Sequence, residues 1–169
     1  LAKEKAETNA EKYTNLYDHA PAGYFTLNMD AEICELNFNA AKMLNKERSK
    51  LINSSFKLFI SRETRSLFID FLDKVSDTKT KQDCEVRLVI NKKPSAFVHI
   101  EGILLENEKN YLLTVFDVSK SRQVEEALKE SEERIRLFTQ NVPDFLLQID
   151  RTGKINYINK TLDGLTQND

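Results

Sequence analysis

The amino-acid sequence predicts an α+β domain in which helices cover one face of a five-stranded antiparallel sheet, with a further helix on either side of the domain. Two short β-prone segments come first, several helical segments follow, and three further β-prone segments complete the domain. Polar turns separate the strands within each group, and such turns join antiparallel strands rather than parallel ones. The helices therefore form one insert between the second and third strands.

The first two strands are predicted at residues 24–29 and 32–37. Asp30 and Ala31 stand between them and indicate a tight hairpin turn. Such turns favour glycine, which adopts a positive φ without steric cost. With Ala31 in that place, we expect another type of turn or a strained backbone.

The insert is predicted to contain two short helices followed by a longer one. Asn37 is expected to cap the first helix, at residues 38–44, by accepting hydrogen bonds from its first turn. The segment 45–47 indicates the start of the second helix, which continues to Leu51. The longer helix is predicted at residues 62–75, because apolar residues there share one face. That face contains Leu67, Phe68, Phe71, Leu72 and Val75.

The last three strands are predicted at residues 83–90, 96–105 and 111–118. In the first of them apolar side chains alternate with polar ones, which is typical of a strand with one buried face. The alternating apolar residues are Cys84, Val86, Leu88 and Ile90. Polar segments at 91–94 and 106–110 are the predicted turns of an antiparallel meander.

A long internal repeat divides the chain into domains. When Pro143 is superimposed on Pro21, 122 positions earlier, Ile155 falls on Ile33 and Asn159 falls on Asn37. A period of this length indicates tandem domains rather than a solenoid. We therefore predict a linker helix at 1–15, a complete domain at 16–118, a connecting helix at 119–138 and the start of a second domain at 139–169. Asn159 would repeat the capping role of Asn37.

The connecting helix carries a narrow apolar seam on a charged surface. Its residues fit the two core positions of a heptad, which favours a parallel dimer contact. One position contains Ser121, Leu128, Ile135 and Val142, and the other contains Val124, Ser131 and Phe138. Serines at core positions predict a weak or adjustable contact, and residues 1–15 are expected to extend it into a homodimer. The alternative is a single helix packed against its own domain.

Composition excludes several classes of partner. The net charge of −2 comes from interspersed acids and bases, so no basic field directs the chain to nucleic acid. No apolar run approaches the roughly 20 residues that span a bilayer, so we expect no direct membrane insertion and a cytoplasmic location. The chain begins without Met and ends within the second copy of the repeat. We therefore expect a fragment of a longer protein, and that protein could have a membrane anchor elsewhere.

Several of these segments resemble the PAS (Per-Arnt-Sim) sensor family. Residues 20–24 are similar to the entry into its first strand, and residues 37–44 resemble its N-x-A-A-x-x-L-L segment. Asp117, Val118 and Ser119 resemble the D-I-T exit motif that precedes a signalling helix, and residues 150–155 resemble the hairpin of a following family member. Ala31 and Asn45 depart from the family, which often has glycine at both places.

The resemblance implies a sensory and dimerisation module of a signal-transduction protein, such as a two-component sensor histidine kinase, with an output domain further along the same chain. A ligand or a partner would shift the packing of strands and helices. The change would pass through Asp117 and Ser119 into the helix at Val124, Leu128 and Ile135. The alternative is a ligand-free scaffold that pairs and spaces domains in a larger signalling protein.

Cofactors known from the family are disfavoured, whereas an unknown small ligand stays open. Family members that bind haem often do so through a His on the long helix, and residues 62–75 contain none. Covalent flavin chemistry needs a Cys that the segment 49–54 lacks. Seven aromatic residues are candidates for lining a ligand cavity, but packing to native density requires only that they fill the core, which is the interpretation we favour. They are Phe25, Phe38, Phe56, Phe59, Phe68, Phe71 and Phe116.

Catalysis is the remaining alternative, and little in the sequence favours it. Cys34 or Cys84 with His99 as a base would suit a thiol enzyme, but no nucleophile turn or metal-ligand spacing accompanies them. We expect both cysteines to be buried free thiols in a reducing compartment. His19 and His99 are expected to be structural, although either could titrate near neutral pH. We therefore predict that this fragment is not an enzyme and has no metal site.

Overall fold

The computed structural model describes residue 12 and residues 14–105, 109–141 and 147–158. Contacts between Cα atoms divide the chain into two units. The first ends at Lys120 and contains the large sheet with its helices, and the second begins at Ser121 and contains most of a long helix and one hairpin. The predicted linker helix at residues 1–15 lies mostly outside the described residues, although residue 12 and residues 14–18 are helical.

The first unit is a five-stranded antiparallel sheet whose strands follow the order β2-β1-β5-β4-β3. Its elements in chain order are β1 (Gly23–Leu27), β2 (Ile33–Leu36), α1 (Phe38–Met43), α2 (Arg48–Leu51), a 3-10 turn (Phe56–Phe59), α3 (Arg65–Thr78), β3 (Gln82–Ile90), β4 (Lys93–Leu105) and β5 (Asn110–Asp117). The second unit has the rest of α4 (Ser119–Asn141), which begins in the first unit, and the hairpin β6 (Leu147–Ile149) with β7 (Ile155–Ile158). The predicted α+β fold with all five strands in one sheet is confirmed.

The core lies between the sheet and its helical insert. Alternate residues of β3, β4 and β5 point inward, so Val86, Val98 and Leu113 are buried. From the other side α3 contributes Phe68, Phe71, Leu72 and Val75, as predicted. Leu67 does not join them, because its side chain is 51% exposed at the margin of the apolar stripe. Its assignment to the buried face was therefore wrong.

The insert also covers one edge of the sheet at β3. The peptide N–H of Ser61 donates to the carbonyl of Arg87, and the Arg87 N–H donates to Thr64 Oγ1 at 3.1 Å. These bonds hold residues 62–64 in a turn, and α3 therefore begins at Arg65 instead of the predicted residue 62.

At the opposite edge, Ile33 N–H in β2 donates to the Ser54 carbonyl, and Asn53 N–H donates to the Ile33 carbonyl. Unpaired strand edges invite pairing with other chains. The insert between β2 and β3 thus bonds to both outer strands of the sheet.

The short helices differ from the prediction at Asn45. This residue adopts φ 50 and its N–H donates to the Lys42 carbonyl, so it ends α1 instead of beginning the next helix. Asn tolerates the left-handed region better than most residues, which explains how it replaces a glycine here. The second helix, α2, begins only at Arg48, and Glu47 at its N-cap forms no side-chain capping bond.

The two hairpins related by the internal repeat have the same geometry. In the first, Asn28 Oδ1 accepts from the N–H groups of Asp30 and Glu32, and Ala31 adopts φ 65. The second repeats both bonds at Asp150 Oδ1, from Thr152 and Lys154, with Gly153 at φ 89. The strand registers also match, including a β-bulge at the same place. Ala31 is therefore strained in a position where the second hairpin has glycine.

One residue of the second hairpin shows the electrostatic effect of this turn. Hydrogen bonds from the Thr152 hydroxyl and from the backbone N–H groups of Lys154 and Thr152 lower the pKa of Asp150. These bonds favour the charged carboxylate because each brings a donor to it. The neutral amide of Asn28 accepts the corresponding backbone bonds in the first hairpin.

The turn between β3 and β4 is shorter than predicted. Ile90 pairs with Lys93, so only Asn91 and Lys92 form the loop, with φ 51 and φ 64. Two residues with positive φ are typical of a hairpin turn whose twist matches that of its strands. β4 therefore starts at Lys93 and passes through Pro94. Its pairing with β5 begins only at Val98, so the end of the β3–β4 hairpin projects beyond β5.

Asn37 joins the first strand, the first helix and the segment before them. Its side chain is fully buried. Oδ1 accepts from the N–H groups of Tyr24 at 3.0 Å and Ala40 at 2.9 Å, and Nδ2 donates to the carbonyls of Tyr17 at 2.8 Å and Ala22 at 3.0 Å. The predicted helix cap is thus one of four bonds that use the full capacity of the amide. The corresponding Asn159 lies outside the described residues.

Replacing Asn37 by Ala is expected to lower the free energy of unfolding by about 3 kcal/mol or more, because the cap is lost and buried backbone groups are left without partners. Urea denaturation followed by circular dichroism measures this loss. The control is Asn39→Ala, which removes donors to Ala20 and Pro21 nearer the surface and should cost less than about 1 kcal/mol. Equal losses from the two substitutions would contradict the central role of Asn37.

Candidate functional site

The candidate pocket residues are divided by the structure into two groups. Phe25, Phe56, Phe68, Phe71 and Phe59 are buried. Ring centroids are 4.9 Å apart between Phe25 and Phe56, 5.3 Å between Phe56 and Phe68, and 5.9 Å between Phe68 and Phe71. These are the spacings of packed aromatic pairs. These rings therefore pack against one another in the core.

Gly102 shows how closely the core is packed around these rings. A Cβ atom at this position would lie 2.6 Å from Phe71 Cζ and 2.7 Å from Leu113 Cδ2. Such distances are shorter than van der Waals contact, so the space that a side chain would need is already filled. Glycine is required in β4 because the ring of Phe71 occupies the place of its side chain.

Phe38 and Phe116 do not join the buried rings. Phe38 begins α1 and is 60% exposed, while Phe116 near the end of β5 is 38% exposed. Phe116 pairs with His99 of β4 and lies on the face of the sheet opposite to that of the buried Val115. The structure thus gathers five of the seven candidates in the core and leaves two at the surface.

An open groove lies at another place, between α1 and the projecting end of the β3–β4 hairpin. Its volume is about 830 Å³. The floor is apolar and the rim contains charged and amide side chains. The apolar lining includes Met43, Leu88, Ile90, Ala96 and Val98, and the charged lining consists of Lys42, Lys93 and Asp117.

Sequence reasoning missed this groove, except for Phe116. A usable signal was present, since the pattern of Leu88 and Ile90 continues inward-facing apolar positions to the tip of the hairpin. The length of the hairpin relative to β5 was hidden by Pro94, which made residues 91–94 resemble a loop.

The junction between sheet and long helix is fixed by side-chain hydrogen bonds. Asp117 Oδ1 accepts from the N–H of Ser119 at 2.9 Å. Ser119 Oγ accepts from the N–H of Phe97 in β4, also at 2.9 Å, and the Val118 N–H donates to the Phe97 carbonyl. The residues predicted to relay a signal, Asp117 and Ser119, thus tie the first turn of α4 to the sheet.

The predicted seam of the connecting helix is exposed in this single chain. More than half of the residue surface is accessible at each of four seam positions, which are Val124, Leu128, Ile135 and Phe138. Val142 lies outside the described residues. α4 runs from Ser119 to Asn141, three residues beyond the predicted end, without interruption. A lone exposed apolar residue is common, but four at heptad spacing are typical of a helix that packs against another helix.

The cysteines and histidines do not form a reactive group. Cys84 is half-buried on the inward side of β3, and burial, followed by the charges of Asp83 and Glu85, raises its pKa to about 12. A thiol with so high a pKa is protonated and unreactive at neutral pH. His99 lies on the opposite face of the sheet, because Cys84 pairs with Ile100, the residue next to His99 in β4.

Cys34 is also half-buried, and its thiol lies 3.8 Å from the Glu32 carbonyl. Both thiols are thus less buried than predicted. His19 is exposed and lies in the segment that precedes β1. Among the described residues, no group of three or more His, Cys, Asp and Glu side chains is placed to hold a metal ion. No helix within those residues combines the length and the apolar character that crossing a bilayer requires.

Solved structures with the same arrangement of strands and helices are numerous. The PAS domain of an HTR-like protein from Haloarcula marismortui has a TM-score of 0.60 and 19% identity, over 69% of this chain and 97% of that one. A domain of a sensory box sensor histidine kinase/response regulator from Geobacter sulfurreducens has a TM-score of 0.54 and 16% identity, over 64% of this chain and 94% of that one. At such identities the likeness shows the fold.

A third similar structure was solved with a bound molecule. It is the PAS domain, in complex with ethanol, of a transcriptional regulator in the LuxR family from Burkholderia thailandensis. Its TM-score is 0.53 and its identity is 18%, over 63% of this chain and 97% of that one. A comparison with curated protein sequences gives no match.

The sheet order, the helical insert and the tied exit into α4 define a sensor-type α+β domain. The PAS fold model matches residues 11–117, which is more than half of the chain. The chain therefore belongs to the PAS family, and the resemblance seen in the sequence is confirmed. PAS domains are typically sensory, non-catalytic modules, and they occur in histidine kinases and other regulators.

Replacing Ser119 by Ala is expected to lower the free energy of unfolding of the first unit by about 1 kcal/mol, because Phe97 N–H loses its hydroxyl acceptor. Hydrogen exchange should also become faster at Phe97 and in the first turn of α4. Ser119→Thr keeps the hydroxyl and should restore slow exchange. Gln123→Ala is the control, since that exposed residue of α4 lies outside the apolar seam. Unchanged exchange in Ser119→Ala would contradict the role of the Ser119–Phe97 hydrogen bond in joining α4 to the sheet.

Proposed function

We propose that this chain is the sensory and dimerisation part of a cytoplasmic signal-transduction protein, of the sensor histidine kinase type, with its output domain further along the same chain. The observation that carries the proposal is the junction at the end of β5. There the sheet continues through Asp117 and Ser119 into a 23-residue helix whose apolar seam is exposed. A ligand or a partner that moves β4 relative to β5 would therefore act on α4 directly.

The route of the signal follows from the contacts at this junction. Ser119 bonds to Phe97 in β4, whereas Asp117 belongs to β5, so α4 starts from two neighbouring strands. A ligand or a partner shifts such an equilibrium only by its differential affinity for the two states. The end of the sheet at residues 97 and 117 is where that difference would be transmitted.

Dimerisation through α4 is the second part of the proposal. A parallel coiled coil would bury Leu128 and Ile135 against the same residues of a second copy. The charged remainder of the helix would stay in water. The alternative, a single helix packed against its own domain, would cover the same side chains by contacts within one chain.

Cysteine cross-linking tests the coiled coil. With Cys34 and Cys84 replaced by Ser, Leu128→Cys and Ile135→Cys are each expected to form disulfide-linked dimers under mild oxidation, because both residues are core positions. Glu126→Cys on the opposite side of the helix is the control and should react several-fold less. Gel electrophoresis without reductant measures the fraction linked. Equal linking at all three positions would indicate random collisions and contradict the coiled coil. No linking at any position, or less at residues 128 and 135 than at residue 126, would favour the single packed helix.

A ligand-free scaffold is supported by one specific observation. The rings of Phe25, Phe56 and Phe68 are fully buried and pack together, and the core has no room for a side chain at Gly102. Native mass spectrometry with solvent extraction of the purified chain discriminates the two functions. A small molecule bound in stoichiometric amount favours sensing, as does the precedent of a similar PAS domain with ethanol. A chain without any such molecule favours the scaffold.

We also propose that residues 139–169 begin a second PAS domain. The hairpin of β6 and β7 has the turn and the register of β1 and β2. Its Leu147, Ile149 and Ile155 are exposed, whereas the residues 122 positions earlier are fully buried in the core. A hairpin with an uncovered apolar face is marginally stable by itself. Further helices and strands of a second domain would cover that face.

Extending the chain with the residues that follow in its gene should protect this hairpin. Backbone amides of residues 147–158 are expected to exchange at least roughly tenfold more slowly in the longer chain, because a covered hairpin opens less often. Hydrogen exchange with mass spectrometry measures the difference. The β1–β2 hairpin is the internal control and should exchange equally in both chains. Fast exchange of residues 147–158 in the longer chain would rule out the second domain.

A further inference from the structure

We propose that the groove between α1 and the β3–β4 hairpin binds a small soluble molecule with an apolar chain and a carboxylate head. The inference rests on the proposed sensory function and gives it a site and a class of ligand. The site differs from the aromatic core that the sequence suggested. Three features of the groove carry the inference: its floor, its charges and its position beside the exit of the sheet.

The floor of the groove is apolar and only partly covered. Leu88 and Val98 are buried at its base, while Ile90, Ala96 and Met43 are half-buried toward the opening. The cause is the length of the hairpin, because β4 starts at Lys93 but pairs with β5 only from Val98. The inward side of residues 93–97 therefore has no third strand beside it. An apolar chain laid there would remove hydrophobic surface from water.

The volume of about 830 Å³ is that of a small-molecule cleft, which is commonly about 300–1,000 Å³. One wall is α1, with Met43 and Lys42, and the other is the hairpin, with Ile90 and Lys93. Two walls that face each other across an apolar floor suit a slender molecule. A flat protein partner would instead require a broad exposed surface.

The charges at the rim favour an anionic head. Lys42 comes from α1 and Lys93 from β4, and neither takes part in an ion pair within the part of the chain that the structure describes. Asp117 is the acidic residue of the lining, so the two lysines leave the lining with one net positive charge. A carboxylate would pair with the lysines, since charge-assisted hydrogen bonds are the stronger kind.

The groove also borders the junction that leads to α4. Phe116 and Asp117, the last two residues of β5, belong to its lining. A bound molecule would therefore contact the strand end whose carboxylate holds Ser119. Occupancy of the groove would reach α4 without any change in the packed aromatic core.

Isothermal titration with hexanoate, octanoate and decanoate, each below the concentration at which it forms micelles, tests the ligand class. We expect the dissociation constant to fall about fourfold for each added methylene, which is the value for transfer of a methylene out of water. Octan-1-ol has a similar chain without the charge and should bind about tenfold more weakly than octanoate.

Two variants locate the site. Lys42→Gln with Lys93→Gln should weaken octanoate about tenfold and leave octan-1-ol unchanged within about twofold. The control, Lys74→Gln with Lys154→Gln, makes the same change of net charge outside the groove and should affect neither ligand. Ala96→Phe fills the groove and should abolish the binding of both. Far-ultraviolet circular dichroism checks that each variant is folded.

The outcomes separate this inference from the sensory proposal. Absence of octanoate binding, or binding that the groove variants leave unchanged, overturns the inference, while cross-linking of α4 tests dimerisation independently. Octanoate binding that follows the groove variants, without any change in the exchange of α4, supports the site and contradicts the relay. Binding of phosphatidylglycerol vesicles in place of octanoate, lost in the lysine variant, would assign the groove to a membrane surface and overturn the soluble ligand.

Discussion

The arrangement of the domain depends on one buried amide. The side chain of Asn37 donates two hydrogen bonds and accepts two, and its partners lie in the segment before β1, in β1 itself and in α1. An amide buried without partners costs several times what a single satisfied bond contributes, so only one relative placement of these three segments is tolerated. The orientation of α1 across the sheet follows, and with it the position of the wall that α1 supplies to the groove.

The helical insert covers both edges of the sheet but does not cover the projecting end of the β3–β4 hairpin. Residues 53 and 54 bond to β2, and residues 60–64 bond to β3, so both outer strands have partners that are not strands of another chain. The tip of the β3–β4 hairpin extends past this cover because β5 ends beside Val98. An apolar groove is the direct consequence, since inward-facing residues continue to the tip while the elements that would cover them do not.

The sequence was sufficient for the order of strands and helices, because alternation in β3 and the stripe of α3 are local patterns. It was insufficient wherever a distant contact decides. The start of α3 depends on bonds between Thr64 and Arg87, which lie far apart in the chain. Leu67 fits the stripe equally well and is excluded only by the position of the sheet. Similarly, no local pattern shows that Phe71 occupies the space above Gly102 whereas Phe38 is exposed.

These constraints indicate where the proposed ligand could act on the domain. Closely packed aromatic rings resist displacement, because repacking a core commonly costs about 1–3 kcal/mol for each added group. The groove lies outside that core, and its occupant would contact Phe116 and Asp117 directly. A change of roughly 1 kcal/mol at the Asp117–Ser119–Phe97 bonds is comparable to a typical allosteric coupling energy. If α4 pairs as proposed, a contact with serines among its core residues would respond to a change of that size, whereas a strong zipper would not.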